Sequence, residues 1–151
     1  MTSLALPAAV INAKVLAMEF HRGRLIHHVH LRVSNLETSR RFYRAVLEAI
    51  GRDINNESEK HFSSDELWVD KADGYVSRVH LAFQANDRET VQAFHKAALA
   101  NGGKDNGTPG ERPYHPGYYA AFALDPDGNN LEVVFHGAAV RSADSIVIRP
   151  A

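Results

Sequence analysis

Three histidines fall within four positions in HHVHLRV, residues 27–33. An imidazole can ligate a divalent metal, move a proton or make an ordinary hydrogen bond, so residue type alone does not choose. Spacing does more. Val29, Leu31 and Val33 alternate with His28, His30 and Arg32, a period of two that in a strand puts His28 and His30 on one face and turns His27 the other way. A further histidine, His80, opens HLAFQ, and Glu132 stands between Leu131 and Val133 in LEVVF. A carboxylate on the inward face of a strand is costly unless it is paired or coordinated, and the alternative to coordination for Glu132 is a salt bridge with Arg32. With no cysteine in the chain, thiolate chemistry is excluded and any metal is held by nitrogen and oxygen.

The elements that carry these residues repeat. Sliding the chain by 52 positions lays HVHLRVSNLETSRRFYRAVLEAIG, from His28, over HLAFQANDRETVQAFHKAALANGG, from His80, without a gap. His28 meets His80, and Glu37, Thr38, Phe42, Ala45, Leu47 and Gly51 meet identical residues. Each copy reads as a strand and then a helix. Ser34 or Asn35 caps the first helix, Leu36, Phe42, Tyr43, Val46 and Leu47 form its apolar stripe, and Gly51 stops it. The second helix is expected from about Arg88 to Ala100. Short alternating segments follow, DELWVDK in the first half, YYAAFAL and LEVVF in the second. DPDGNN joins the last two with the Asp-Pro and Asp-Gly pairs of a tight antiparallel turn. Each half is thus a βαβββ unit, an α+β arrangement.

At 151 residues and 44% hydrophobic, the chain supports one compact domain. Its formal net charge of -1 comes without blocks of like sign, so nothing marks a partner in nucleic acid or membrane. LALPAAVINAKVLAM lacks a preceding basic region and is broken by Asn12 and Lys14, which argues against a signal peptide. We expect a soluble cytoplasmic protein with an N-terminal extension over residues 1–24, a domain over 25–136 made of modules at about 25–73 and 76–136, and a tail over 137–151 that carries a short strand.

The strand HHVHLRV with NLETSRRFY, the second strand HLAFQ, and the turn and strand DPDGNNLEVVF together resemble the vicinal oxygen chelate superfamily, which includes glyoxalase I, extradiol dioxygenases, and the fosfomycin- and bleomycin-resistance proteins. The resemblance covers residues 26–136. It implies two βαβββ modules curled into a half-open barrel, with a divalent metal on the concave side held by His28, His80 and Glu132. Two imidazoles and a carboxylate accept iron, zinc, nickel or manganese and leave positions open for a substrate that chelates through adjacent oxygens. The resemblance also implies a homodimer, in which His28 shares a site with His80 of its own chain or of a second copy.

Details of the pattern separate the activities. Glyoxalase I carries a further glutamate on the last strand of its first module; here Trp68 occupies that place and Glu66, two residues earlier, is expected at the rim. Fosfomycin-resistance proteins have a basic, hydroxyl-rich stretch before the final glutamate, whereas PGYYAAFAL offers neither lysine nor serine. Extradiol dioxygenases add a histidine and a tyrosine as acid-base groups, and His115 and Tyr119 are the candidates for those catalytic roles. His30, Glu66, Trp68 and Tyr114 are expected to touch the substrate or support the ligands. NGTPGERPYHPGYY, residues 106–119, reads as a long loop that is either a lid, closing Tyr114, His115 and Tyr118 over the metal, or a solvated connector packed against a neighbouring subunit. The expected function is a metal-dependent dioxygenase or lyase acting on a small molecule; the alternative is a binding protein of the bleomycin-resistance type that sequesters its ligand without catalysis.

Overall fold

The computed structural model describes residues 22–150; most of the expected N-terminal extension lies outside them. The first module runs β1 (Val29–Val33), α1 (Leu36–Ala49), β2 (Asn56–Glu57), β3 (His61–Ser64) and β4 (Leu67–Lys71). The second runs β5 (His80–Gln84), α2 (Arg88–Ala100), β6 (Lys104–Glu111), β7 (Tyr119–Leu124) and β8 (Asn130–Phe135). Each module is one sheet of four strands in the same order, β1-β4-β3-β2 and β5-β8-β7-β6. In each, the first strand lies parallel to the last because the helix carries the chain across the sheet. The two sheets, each with its helix, make the α+β two-module fold with the sheets left open.

Capping sets where the helices begin. Asn35 accepts from the Thr38 amide at 2.9 Å and Asp87 from the Thr90 amide at 2.7 Å, satisfying amides that have no partner within the helix. α1 buries Leu36, Phe42, Tyr43, Val46 and Leu47, while α2 buries Val91, Phe94, His95 and Ala98. These faces meet each other and the inner faces of the sheets in one continuous core that includes Leu31, Val33, Val69, Leu131 and Val133. The repeat glycine Gly103 is needed for close approach: a Cβ there would stand 2.7 Å from the Ala98 carbonyl oxygen and 2.8 Å from the Phe42 ring.

DPDGNN joins the modules as well as turning the chain. Asp125, almost wholly buried, accepts from Tyr43 of α1 at 2.7 Å, from the Asn129 amide and side chain at 2.8 Å each, and from the Asp127 amide at 3.0 Å. Burial, reinforced by the Asp125 carboxylate, pushes the Tyr43 hydroxyl well above its usual pKa and keeps it a donor. Asp127 in turn accepts from the amide and hydroxyl of Ser34, just ahead of α1.

Two expectations are corrected. Residues 104–111 form β6 and do not belong to a long loop, paired with β7 through register shifts around Gly107 and Gly110. Its outermost place in the sheet tolerates Pro109 and the bulges, which is why no alternation announced it. The tail over residues 137–150 contains no strand.

Candidate metal and ligand site

The pleat of β8 turns Leu131 and Val133 into the core and Glu132 to the opposite, concave face. Register sets Glu132 between Ala82 of β5 and Phe122 of β7. Glu132 is only 5% exposed, so its charge needs partners, and it has two. One oxygen stands 3.0 Å from Nε2 of His80; the other accepts from the hydroxyl of Tyr118. The Arg32 alternative does not occur: that guanidinium lies over the Tyr75 ring, 5.3 Å from its centroid.

His80 keeps 54% of its side chain exposed while its ring edge faces the carboxylate. Desolvation first, then the bond to Glu132, raises the Tyr118 pKa far above its ordinary value, so the hydroxyl stays protonated and donating. The sequence places Tyr118 among the lid residues and does not announce its contact with Glu132. Parity could have found it, because Ala120 and Phe122 share the face of Glu132 and Tyr118 is the next residue back on that face. Tyr119, expected to be catalytic, is turned away from the site. Its hydroxyl accepts from Gln92 of α2 at 3.2 Å and its ring lies 4.8 Å from the Arg88 guanidinium carbon.

His115 approaches His136, Nε2 to Nδ1, at 3.0 Å, with the rings stacked at an interplanar angle of 14°. Tyr118 stands edge-on to both, and the largely exposed Tyr114 stands edge-on to Tyr118. Burial, with His115 and Arg22 adding to it, lowers the His136 pKa, which favours its neutral form. The remaining loop is short and closed on itself by Arg112 N–H to Tyr118 O at 2.9 Å and Tyr118 N–H to His115 O at 3.1 Å.

The first module repeats the geometry with different chemistry. Register places Trp68 opposite His30, as it places Glu132 opposite Ala82. His30 Nε2 meets Asp70 at 2.9 Å, and Trp68 stacks on His61 with centroids 4.1 Å apart. Glu66 is exposed in the β3–β4 turn, where its backbone oxygen accepts from Val29. His28, one residue ahead of β1, is exposed and meets His27, Nδ1 to Nδ1, at 2.8 Å.

Of the three expected ligands, the structure therefore brings His80 and Glu132 together and leaves His28 apart. Among the described residues, no three His, Asp or Glu side chains converge closely enough to hold a metal. The pair itself fits one: ligands bonded at about 2.1 Å in adjacent positions of a small ion stand about 3 Å from each other, which is the spacing of His80 Nε2 and Glu132 Oε2, 3.0 Å. Tyr118 holds the other carboxylate oxygen, as partners of metal-bound carboxylates do.

Residues 25–133 match the family model described as Glyoxalase/Bleomycin resistance protein/Dioxygenase superfamily. The chain is similar in structure to a glyoxalase/bleomycin resistance protein from Albidiferax ferrireducens, with 29% identity, a TM-score of 0.63, and coverage of 73% of this chain and 97% of that one. A glyoxalase-related enzyme from Fulvimarina pelagi is 20% identical with a TM-score of 0.64, over 85% of this chain and 99% of that one. Lactoylglutathione lyase from Agrobacterium tumefaciens is 21% identical with a TM-score of 0.55, over 76% and 95%. No curated protein matches the chain. No helix among the described residues is long and apolar enough to cross a membrane.

Proposed function

Because the chain belongs to the glyoxalase/bleomycin resistance protein/dioxygenase superfamily, we propose that it is a divalent-metal-dependent enzyme, a lyase or dioxygenase, acting on a small molecule that chelates through adjacent oxygens. The observation that carries this reading is the His80–Glu132 pair, a buried carboxylate and a half-open imidazole 3.0 Å apart on a concave sheet face. The third ligand is His28 of the partner subunit in a homodimer. The separation of His28 from the pair among the described residues of one chain supports that reading.

The bound ion supplies Lewis-acid polarisation of the substrate's oxygens or, if it is iron, a place for dioxygen beside the substrate. The protein does the rest. Tyr118 fixes the rotation of the Glu132 carboxylate by donating to one oxygen, which leaves the other aimed at the His80 edge. Ala82 and Phe122 are the cross-strand neighbours of Glu132, which is only 5% exposed. Trp68 fills the register position that corresponds to Glu132, so the first module offers no carboxylate there. That favours a three-ligand site over a glyoxalase I set of four, even though the lyase from Agrobacterium tumefaciens shares the fold.

Elemental analysis of protein purified without tag or chelator tests the reading. We expect about one iron, zinc, nickel or manganese per site and loss of it in His80→Ala with the circular dichroism unchanged. Absence of metal from the wild-type protein, even after anaerobic reconstitution with each ion, would replace the enzyme by a non-catalytic binding protein.

A further inference from the structure

We propose that Arg112 is the anion-binding residue of this site and selects small molecules that carry a carboxylate apart from the oxygens that reach the ion. The substrate class so named rests on the ligand site proposed above. Register fixes the place. Phe122 of β7 is the cross-strand neighbour of Glu132, and its ring lies 6.0 Å, centroid to centroid, from that of His80. The Arg112 guanidinium carbon lies 5.4 Å from the centroid of the same Phe122 ring, within the range of a cation held over an aromatic face. The Arg112 amide donates to Tyr118 O at 2.9 Å, and the Tyr118 hydroxyl donates to Glu132. Side chain and backbone thus both tie Arg112 to the His80–Glu132 pair.

The irregular course of β6 makes room for the guanidinium. Gly107 stands opposite Phe122 and Gly110 opposite Ala120, on the face that carries Glu132. A Cβ on Gly107 would meet the Phe122 ring at 2.9 Å and Arg112 Nη2 at 3.4 Å; one on Gly110 would meet Nη1 at 3.4 Å. The guanidinium therefore lies along two glycines on the concave face, in space that larger residues would crowd. Its charge is unmatched. Nη2 donates to Thr108 O at 2.7 Å, Nε is buried without a partner, and Nη1 makes no hydrogen bond among the described residues. Glu111, the next carboxylate along the chain, is held by Arg88 instead. A guanidinium with one carbonyl for a partner keeps its unit charge and part of its fork of donors for a ligand, and that fork fits a carboxylate. One cation balances one carboxylate; a phosphate dianion would keep part of its charge unmatched.

Acetohydroxamate chelates through two adjacent oxygens, and the monohydroxamic acids of succinate, glutarate and adipate add a carboxylate at growing reach. Calorimetry on metal-loaded wild-type protein would compare each with its terminal amide. At the best-fitting length the carboxylate should bind about fivefold to thirtyfold tighter than the amide, and the advantage should shrink as salt is raised. Arg112→Gln should abolish the advantage and leave acetohydroxamate affinity and metal content at wild-type values, and Arg112→Lys should retain part of it. If Arg112→Gln does not fold, the wild-type comparison and Arg112→Lys still decide.

No carboxylate advantage at any length in wild type, or the same advantage in Arg112→Gln, would overturn the proposal while leaving the metal site standing; the guanidinium would then serve only to hold Thr108. Should acetohydroxamate fail to bind wild type treated with each ion, the metal reading falls, and glutarate titrated into the metal-free protein decides the subsite. Saturable binding that is lost in Arg112→Gln upholds it, and absence of binding overturns it.

Discussion

At the scale of single residues, the site turns on how one buried carboxylate is satisfied. Glu132 has two oxygens and two partners, His80 and Tyr118, and the removal of either leaves an oxygen of a nearly buried carboxylate without its protein partner. Tyr118→Phe keeps the ring packing against His115 and His136 and deletes only the hydroxyl. We expect metal affinity, measured by competition with a chromophoric chelator, to fall by about tenfold to a hundredfold, as is common when the partner of a ligating carboxylate is lost. Affinity equal to wild type would show that Tyr118 does not support the ligand. His80 and Glu132 were legible because a strand's parity is readable from its apolar residues. Tyr118 and Tyr119 were confused because adjacent tyrosines look alike in composition and differ only in parity, which is fixed by where β7 begins, at Tyr119.

At the scale of elements, the turn between β7 and β8 joins the two modules. Asp125 collects the Tyr43 hydroxyl, the Asn129 side chain and two backbone amides in a buried setting, and Asn129 Oδ1 accepts from the Val79 amide at 2.9 Å at the entry to β5. Asp125→Ala strands four donors at once, at a cost of about 1–3 kcal/mol each, so a total of at least about 4 kcal/mol and a melting temperature lower by roughly 8 °C or more are expected. Tyr43→Phe should cost about 1 kcal/mol, because it removes one donor and Asp125 keeps the others. Thermal denaturation of the two variants checks the order; equal losses would show that the rest of the turn contributes nothing. The tight turn was evident from Asp-Pro and Asp-Gly, but its bonds to α1 and β5 were not, since they depend on packing between distant segments. The first helix was readable because cap, apolar stripe and glycine stop agreed, and the second spans the expected Arg88–Ala100. β6 was not, because an edge strand of glycine, proline and polar residues shows no periodicity.

At the scale of the whole molecule, the repeat in the sequence becomes two sheets with the same strand order and register but unequal chemistry. The second module carries a carboxylate-imidazole pair on its concave face; the first carries His28 one residue ahead of its β1 and an aromatic stack where the carboxylate would be. Neither half is a complete site. The shared-site homodimer predicts that ligand sets can complement between chains. His28→Ala supplies an intact His80–Glu132 pair, and His80→Ala supplies an intact His28. Each variant alone should hold little metal. After co-refolding of equal amounts, random pairing makes half the dimers mixed, each with one complete site and one doubly broken site, so metal content should recover to about one quarter of wild type. A site built within one chain could not recover at all, because every chain in the mixture lacks one of its own ligands. Recovery measured by elemental analysis would establish the exchange of ligands between subunits; absence of recovery, with mixed dimers demonstrated by mass spectrometry, would return His28 to its own chain and require the two modules to close on each other.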